Sequence, residues 1–125
     1  MEENKLVLSS LPKTWILDLD GTMVKHNGYK EGNERLNPGI KEFLDNLPEK
    51  DVVLILTARS TDVQEETKRF LVENGVRFDH ILFNLPIGER ILINDKKPKG
   101  LLTAHAVNIQ RDGPFHINVV IDKRI

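Results

Sequence analysis

Apolar residues in this chain fall into short blocks divided by polar, glycine- and proline-containing stretches. Four blocks rich in Val, Ile and Leu (Thr14–Leu19, Val52–Thr57, His80–Asn84 and Arg90–Asn94) have the length and near-continuous hydrophobicity of buried strands. Between the first two, "LNPGIKEFLDNLPEKD" sets Ile40, Phe43, Leu44 and Leu47 at helical spacing, with Asn37 placed to cap and Pro38 at the first helical position. "STDVQEETKRFLVENG" repeats the design: Thr61 and Gln64 form a capping box, Val63, Thr67, Phe70 and Leu71 share a face, and Gly75 is the stop. Strand, helix, strand, helix, strand predicts right-handed βαβ units, hence an α/β fold with a parallel sheet covered by helices. Beyond it, "TAHAVNI" and "HINVVI" read as two more strands separated by the turn "QRDGPF".

Composition narrows this picture. The 125 residues, 39% hydrophobic and 30% charged, suit one domain over 1–125, and no repeat or Gly/Ser-rich linker divides them. No run approaches the roughly 20 apolar residues that cross a bilayer, and "MEENKLVLSSLPK" is acidic where a signal peptide is basic, so a cytoplasmic protein is expected. The absence of cysteine excludes disulfides, thiolate metal sites and a cysteine nucleophile, leaving oxygen or imidazole as metal ligands and favouring a hard ion such as Mg²⁺. Eighteen basic and 19 acidic residues are mixed along the chain, which disfavours a nucleic-acid partner; "DKKPKG" is the densest basic stretch.

Chemistry enters at "ILDLDGTMV". Ligands of open parallel sheets bind beyond the carboxyl ends of the strands, and Asp18 and Asp20 stand at such an end, where two neighbouring carboxylates call for a cation. "LILTARS" brings Thr57 to the same edge, and "ILINDKKP" is expected to bring Asp95. Carboxylates with a main-chain carbonyl make a Mg²⁺ site, and a hydroxyl with nearby backbone N–H groups holds a phosphate oxygen.

With these residues in place, Asp18-Leu19-Asp20-Gly21-Thr22 resembles the first motif of the haloacid dehalogenase (HAD) superfamily of phosphohydrolases. "LILTAR" resembles its second motif and "ILIND" its fourth, so the likeness covers residues 14 to 98. The resemblance implies a Rossmann-like, HAD-like sheet with flanking helices. It implies Asp18 as a nucleophile forming an aspartyl-phosphate and Asp20 as general acid and base. It places Thr57, Ala58, Leu19 and Arg90 at phosphate-binding positions, and Asp18, Asp20 and Asp95 around Mg²⁺. Two departures stand out: Asn94 precedes Asp95 where the fourth motif commonly carries two acids, and "FNLPIGERILIND" has no room for the helix that carries the third-motif cation. Arg90 is the candidate for that cation, with Lys96 or Lys97 as alternatives.

Asp18 and Thr57 are 39 positions apart, and Thr57 and Asp95 are 38 apart, too close for a cap domain at either insertion point. Small capless members of the superfamily often act on sugar phosphates in surface-polysaccharide synthesis and often form homo-oligomers. The expectation is a Mg²⁺-dependent phosphatase for a sugar phosphate or similar small metabolite. A phosphatase for nucleic-acid ends or protein, and a catalytically impaired binding or regulatory module, are the alternatives. "MVKHNGYKEGNERL" is the expected flap, with Lys25, His26 and Tyr29 as substrate contacts. Arg59 either meets substrate or pairs with an acid, Trp15 belongs to the core, and His80, His105 and His116 lack metal-ligand spacing.

Overall fold

The computed structural model describes residues 5–125. Its centre is a three-stranded parallel sheet in the order β2-β3-β4, built from β2 (Thr14–Asp18), β3 (Val52–Leu56) and β4 (His80–Leu82). The register aligns Asp18 with Leu56 and Leu56 with Leu82, so all three strands end at one edge. A short helix α1 (Gly28–Glu31) and helix α2 (Ile40–Asp45) join β2 to β3, and a 3-10 turn (Thr61–Val63) running into helix α3 (Gln64–Glu73) joins β3 to β4. A separate parallel pair is formed by β1 (Lys5–Leu8) and β5 (Asn118–Ile121). Among the described residues no helix is long and apolar enough to cross a membrane.

Alternation along the strands decides where the core lies. Leu17, Val53 and Ile55 share one face of the sheet and cluster with Ile40 and Leu44 of α2 and Leu71 of α3, while Trp15 and Ile81 pack against them. Two successive right-handed crossovers in the same direction put both helices on that face. The opposite face, bearing Ile16, Val52 and Leu82, remains 48%, 37% and 49% exposed. The expectation of a helix-covered sheet thus holds for one of its two faces. Trp15 is core, as expected: its indole donates to Asp51 (2.8 Å) and its ring meets Phe43 edge-on.

The three leading strands form one or two residues shorter than expected, and the fourth does not form. Residues 90–94 carry no strand, and Ile91 and Ile93 are 81% and 89% exposed. The reason is the missing crossover: after β4 the chain passes over the sheet's carboxyl edge, with Asn84 N–H donating to Arg59 O and Leu85 N–H to Thr57 O, and leaves the sheet instead of descending to start a new strand. "TAHAVNI" likewise forms no strand, whereas "HINVVI" supplies β5, paired to a β1 that the apolar pattern did not single out.

Capping differs too. Asn37 does not cap α2, whose N-terminal flank is Gly39 at φ +91°, where a Cβ would collide with the carbonyl of Phe115. The 3-10 turn before α3 is capped by Ser60, whose Oγ accepts from Asp62 N–H (3.0 Å), not by a Thr61–Gln64 box.

Candidate active site

The loop after β2 is built around Leu19 and Gly21. Leu19, fully buried, donates its N–H to Leu56 O and accepts from Met23 and Val24, which curls the chain immediately after the strand. Gly21 completes the curl at φ +85°, a conformation that costs glycine little and other residues more. Asn37, 2% exposed, sends its side-chain amide to the carbonyls of Gly21, Thr22 and Val24 at 3.2–3.4 Å. The asparagine expected to cap a helix therefore braces the acid-bearing loop.

Each acid meets its own arginine. Asp18 accepts from Arg90 Nη1 at 2.8 Å and from Thr22 Oγ1 at 3.2 Å, and its side chain is 41% exposed. Asp20 accepts at both oxygens from Arg59, from Nε at 3.0 Å and Nη2 at 2.8 Å, the bidentate geometry that suits guanidinium and carboxylate. Arg59 is buried, and every nitrogen of its guanidinium is engaged: Nη2 also reaches Glu34, and Nη1 donates to Thr67 Oγ1 at 3.0 Å. The Tyr29 ring lies over the guanidinium carbon at 3.8 Å, adding a cation–π contact. Burial pulls the Arg59 pKa down, but hydrogen bonds and charge from Asp20 and Glu34 outweigh it and leave the pKa above the ordinary arginine value.

Thr57 follows β3 at the same edge. It is buried, its hydroxyl accepts from Arg59 N–H at 3.0 Å, and its backbone joins Leu82 and Leu85. Ala58 beside it is exposed, whereas the N–H of Leu19 is committed to the sheet. Asp95 is not brought to a strand end, which corrects the expectation. With no fourth strand it lies in the projecting segment, 76% exposed, 3.8 Å from Lys97 Nζ. Among the described residues no three His, Asp or Glu groups gather as a metal site. Asp18 and Asp20 are hard oxygen donors of the type Mg²⁺ takes, and Asp18 is open to solvent on one side, so the donor chemistry of the pair fits that ion.

A cavity of about 330 Å³ lies against Arg59 and its partners, lined by Tyr29, Glu34, Arg59, Val63, Glu66 and Thr67 among others. Asp18, Asp20, Thr57 and Arg90 do not line it. Of the flap residues, Tyr29 faces this cavity, His26 donates its N–H to Asp112 Oδ1 at 2.8 Å, and Lys25 pairs with Glu31. Neither Glu34 nor Thr67 is among the site residues that the sequence suggests. Thr67 sat on the helix face assigned to the core, and nothing in the pattern around Glu34 distinguishes it from a surface acid. Arg59, three residues past the end of β3, carried the one legible hint. No protein-family model matches the chain, and neither a similar curated protein nor a similar solved structure was found.

Proposed function

We propose that the chain is a HAD-like phosphohydrolase that hydrolyses a phosphomonoester, a sugar phosphate or comparable small metabolite, through an aspartyl-phosphate on Asp18. The observation that carries the reading is the placement of Asp18 at the carboxyl end of the parallel edge strand β2, its side chain 41% exposed, with Arg90 on Oδ1 and Thr22 on Oδ2. A carboxylate so held is oriented, open to a substrate on one side, and next to a cation suited to phosphate oxygens.

In this reading an oxygen of Asp18 attacks phosphorus, the bond to the leaving alkoxide breaks, and the alkoxide takes a proton from Asp20. Water activated by Asp20 then cleaves the acyl-phosphate, releasing inorganic phosphate and restoring Asp18. Asp20 moves protons only when Arg59 loosens its two-point grip, and Glu34, already in contact with the same guanidinium, is the acid able to keep it. Arg90 neutralises the transferring group, and Thr57 and Ala58 frame it at the end of β3. Asp18 and the Asp20 carbonyl are the residues that would hold Mg²⁺, which when bound would supply charge stabilisation to the phosphoryl group.

The test is phosphate release from sugar phosphates, nucleotides and an aryl phosphate, with Mg²⁺ or with a chelator, for the native chain and Asp18→Asn. Metal-dependent turnover lost in the variant supports the proposal. A folded native chain inert toward every substrate sinks it in favour of a binding module, the reading that the locked Asp20–Arg59 pair would then explain.

A further inference from the structure

The turn expected at residues 110–115 forms, with Gly113 N–H donating to Gln110 O at 3.1 Å, and it is fastened on three sides. Asp112 donates its N–H to Gly21 O and accepts from His26 N–H at Oδ1, both at 2.8 Å, so one residue ties the acid-bearing loop to the flap. It does so at φ +58°, in the left-handed region that aspartate enters more readily than most residues. Phe115 supplies the third anchor: it is buried, its ring lies 4.9 Å from that of Phe43, and its N–H donates to Pro38 O at 2.7 Å. The loop, the flap and the core therefore all hold this turn in place.

Arg111 is carried on this turn. A Cβ placed on Gly21 would meet Arg111 Cγ at 3.3 Å and Nε at 3.7 Å, so the side-chain stem lies along the residue that follows Asp20. Other cations nearby are spent on acids: Arg90 on Asp18, Arg59 on Asp20 and Glu34, Lys25 on Glu31. Arg111 is exposed and, among the described residues, has no acid partner. A guanidinium on an anchored backbone, with its charge unanswered, is a fork for carboxylate or phosphate oxygens. The transferring phosphoryl group belongs at Asp18, where Arg90 already stands, whereas Arg111 packs on the neighbour of Asp20, the acid assigned to the leaving oxygen. We propose that Arg111 selects the substrate by binding a second anionic group, a carboxylate or a second phosphate, on the alcohol that leaves. The placing of that alcohol rests on the phosphohydrolase reading; the binding of an anion at Arg111 does not. A purely structural role, with the stem covering Gly21, would need no charge at position 111.

The test compares three phosphomonoesters on the full chain with Mg²⁺: glucose 6-phosphate, whose leaving alcohol is neutral, 6-phosphogluconate, which adds a carboxylate, and fructose 1,6-bisphosphate, which adds a phosphate. The native chain is expected to favour at least one of the doubly anionic esters over glucose 6-phosphate by about tenfold in kcat/KM, and which one it favours tells carboxylate from phosphate. Arg111→Met and Arg111→Gln keep most of the stem and remove the charge. Each, folded by circular dichroism, is expected to lose about tenfold more kcat/KM on the favoured ester than on glucose 6-phosphate, mainly through KM, and Arg111→Lys is expected to recover part of the loss. No preference in the native chain, a preference that survives in both neutral variants, or an equal loss on all three esters overturns the proposal. A native chain inert toward every ester removes the phosphohydrolase reading instead, and calorimetric binding of 6-phosphogluconate and fructose 1,6-bisphosphate then decides the anion site. Binding of one of them that Arg111→Met weakens about tenfold keeps the site; no binding, or equal binding by native chain and variant, overturns it.

Discussion

Asp18 and Asp20 stand two positions apart, and each is paired with an arginine, yet the two pairs are built to opposite specifications. Asp20 is gripped at both oxygens by a buried guanidinium that Glu34, Thr67 and Tyr29 also hold. Asp18 shares one oxygen with Arg90 and the other with a threonine hydroxyl, in a pair whose side chains are 41% and 35% exposed. One pair is fixed by more contacts than it needs. The other rests on one contact from each partner and stays open to solvent. The lesson is that a repeated acid in a short motif does not imply a repeated environment. Asp20 ties the loop, through Arg59, to Thr67 of α3, to Glu34 and to Tyr29, while Asp18 keeps one side open to solvent.

The sharpest test of that division is the effect of Asp18→Asn on turnover. If Asp18 is the nucleophile, phosphate release is expected to fall by at least roughly 1,000-fold, about 4 kcal/mol of transition-state stabilisation, with the urea midpoint almost unchanged. A variant that unfolds readily would make Asp18 a structural residue and erase the contrast with Asp20.

Next in size is the reverse experiment. Arg59→Met leaves the carboxylates of Asp20 and Glu34 together without their counter-charge, and breaking a buried pair in this way costs about 3–5 kcal/mol, measurable by urea denaturation. Arg59→Lys keeps the charge but forfeits the two-point fork and the flat contact with Tyr29, so it is expected to recover less than half of that loss. The pH dependence has a defined sign. Because the Arg59 pKa is raised on folding, its contribution is fully present below the ordinary arginine value and is lost only as pH rises through the raised one. The stability gap between native and Arg59→Met is therefore expected to stay constant from pH 7 to 10 on account of Arg59.

Much of the central sheet was legible because its signals are local and agree with one another. Val52–Leu56 and Thr14–Asp18 are short apolar runs between polar breaks, and α3 has its periodicity and a polar start within ten residues. Arg90–Asn94 carries the same apolar signal and still forms no strand, because strand formation there depends on a crossover that residues 83–89 do not make. β1 was missed for a related reason: "KLVL" is short, and its pairing with Asn118–Ile121 lies more than a hundred positions away, where no local pattern reports it. The same holds at the site. Asp18, Asp20 and Thr57 announce themselves at strand ends, but Glu34 becomes a partner of Arg59 only through the fold of the flap, and Asn37 looked like a cap because a local rule says so, while tertiary contacts gave it another task.

The smallest expected effect probes the looser pair alone. Exposed ion pairs contribute about 0–1 kcal/mol, so Arg90→Ala is expected to shift the urea midpoint barely, in contrast to Arg59→Met. Its cost should appear in catalysis, as a roughly tenfold drop in kcat/KM from losing the cation nearest Asp18, equivalent to about 1.4 kcal/mol. Arg90→Lys retains a charge at that position, and because the contact in the structure is through Nη1 alone, an ammonium can replace most of it. Recovery by lysine at position 90 with poor recovery by lysine at position 59 would sharpen the contrast between the two arginines. Equal behaviour of the two lysines would show that the fork on Asp20 matters no more than the single bond on Asp18, and that the division of labour between the acids has a source other than their arginines.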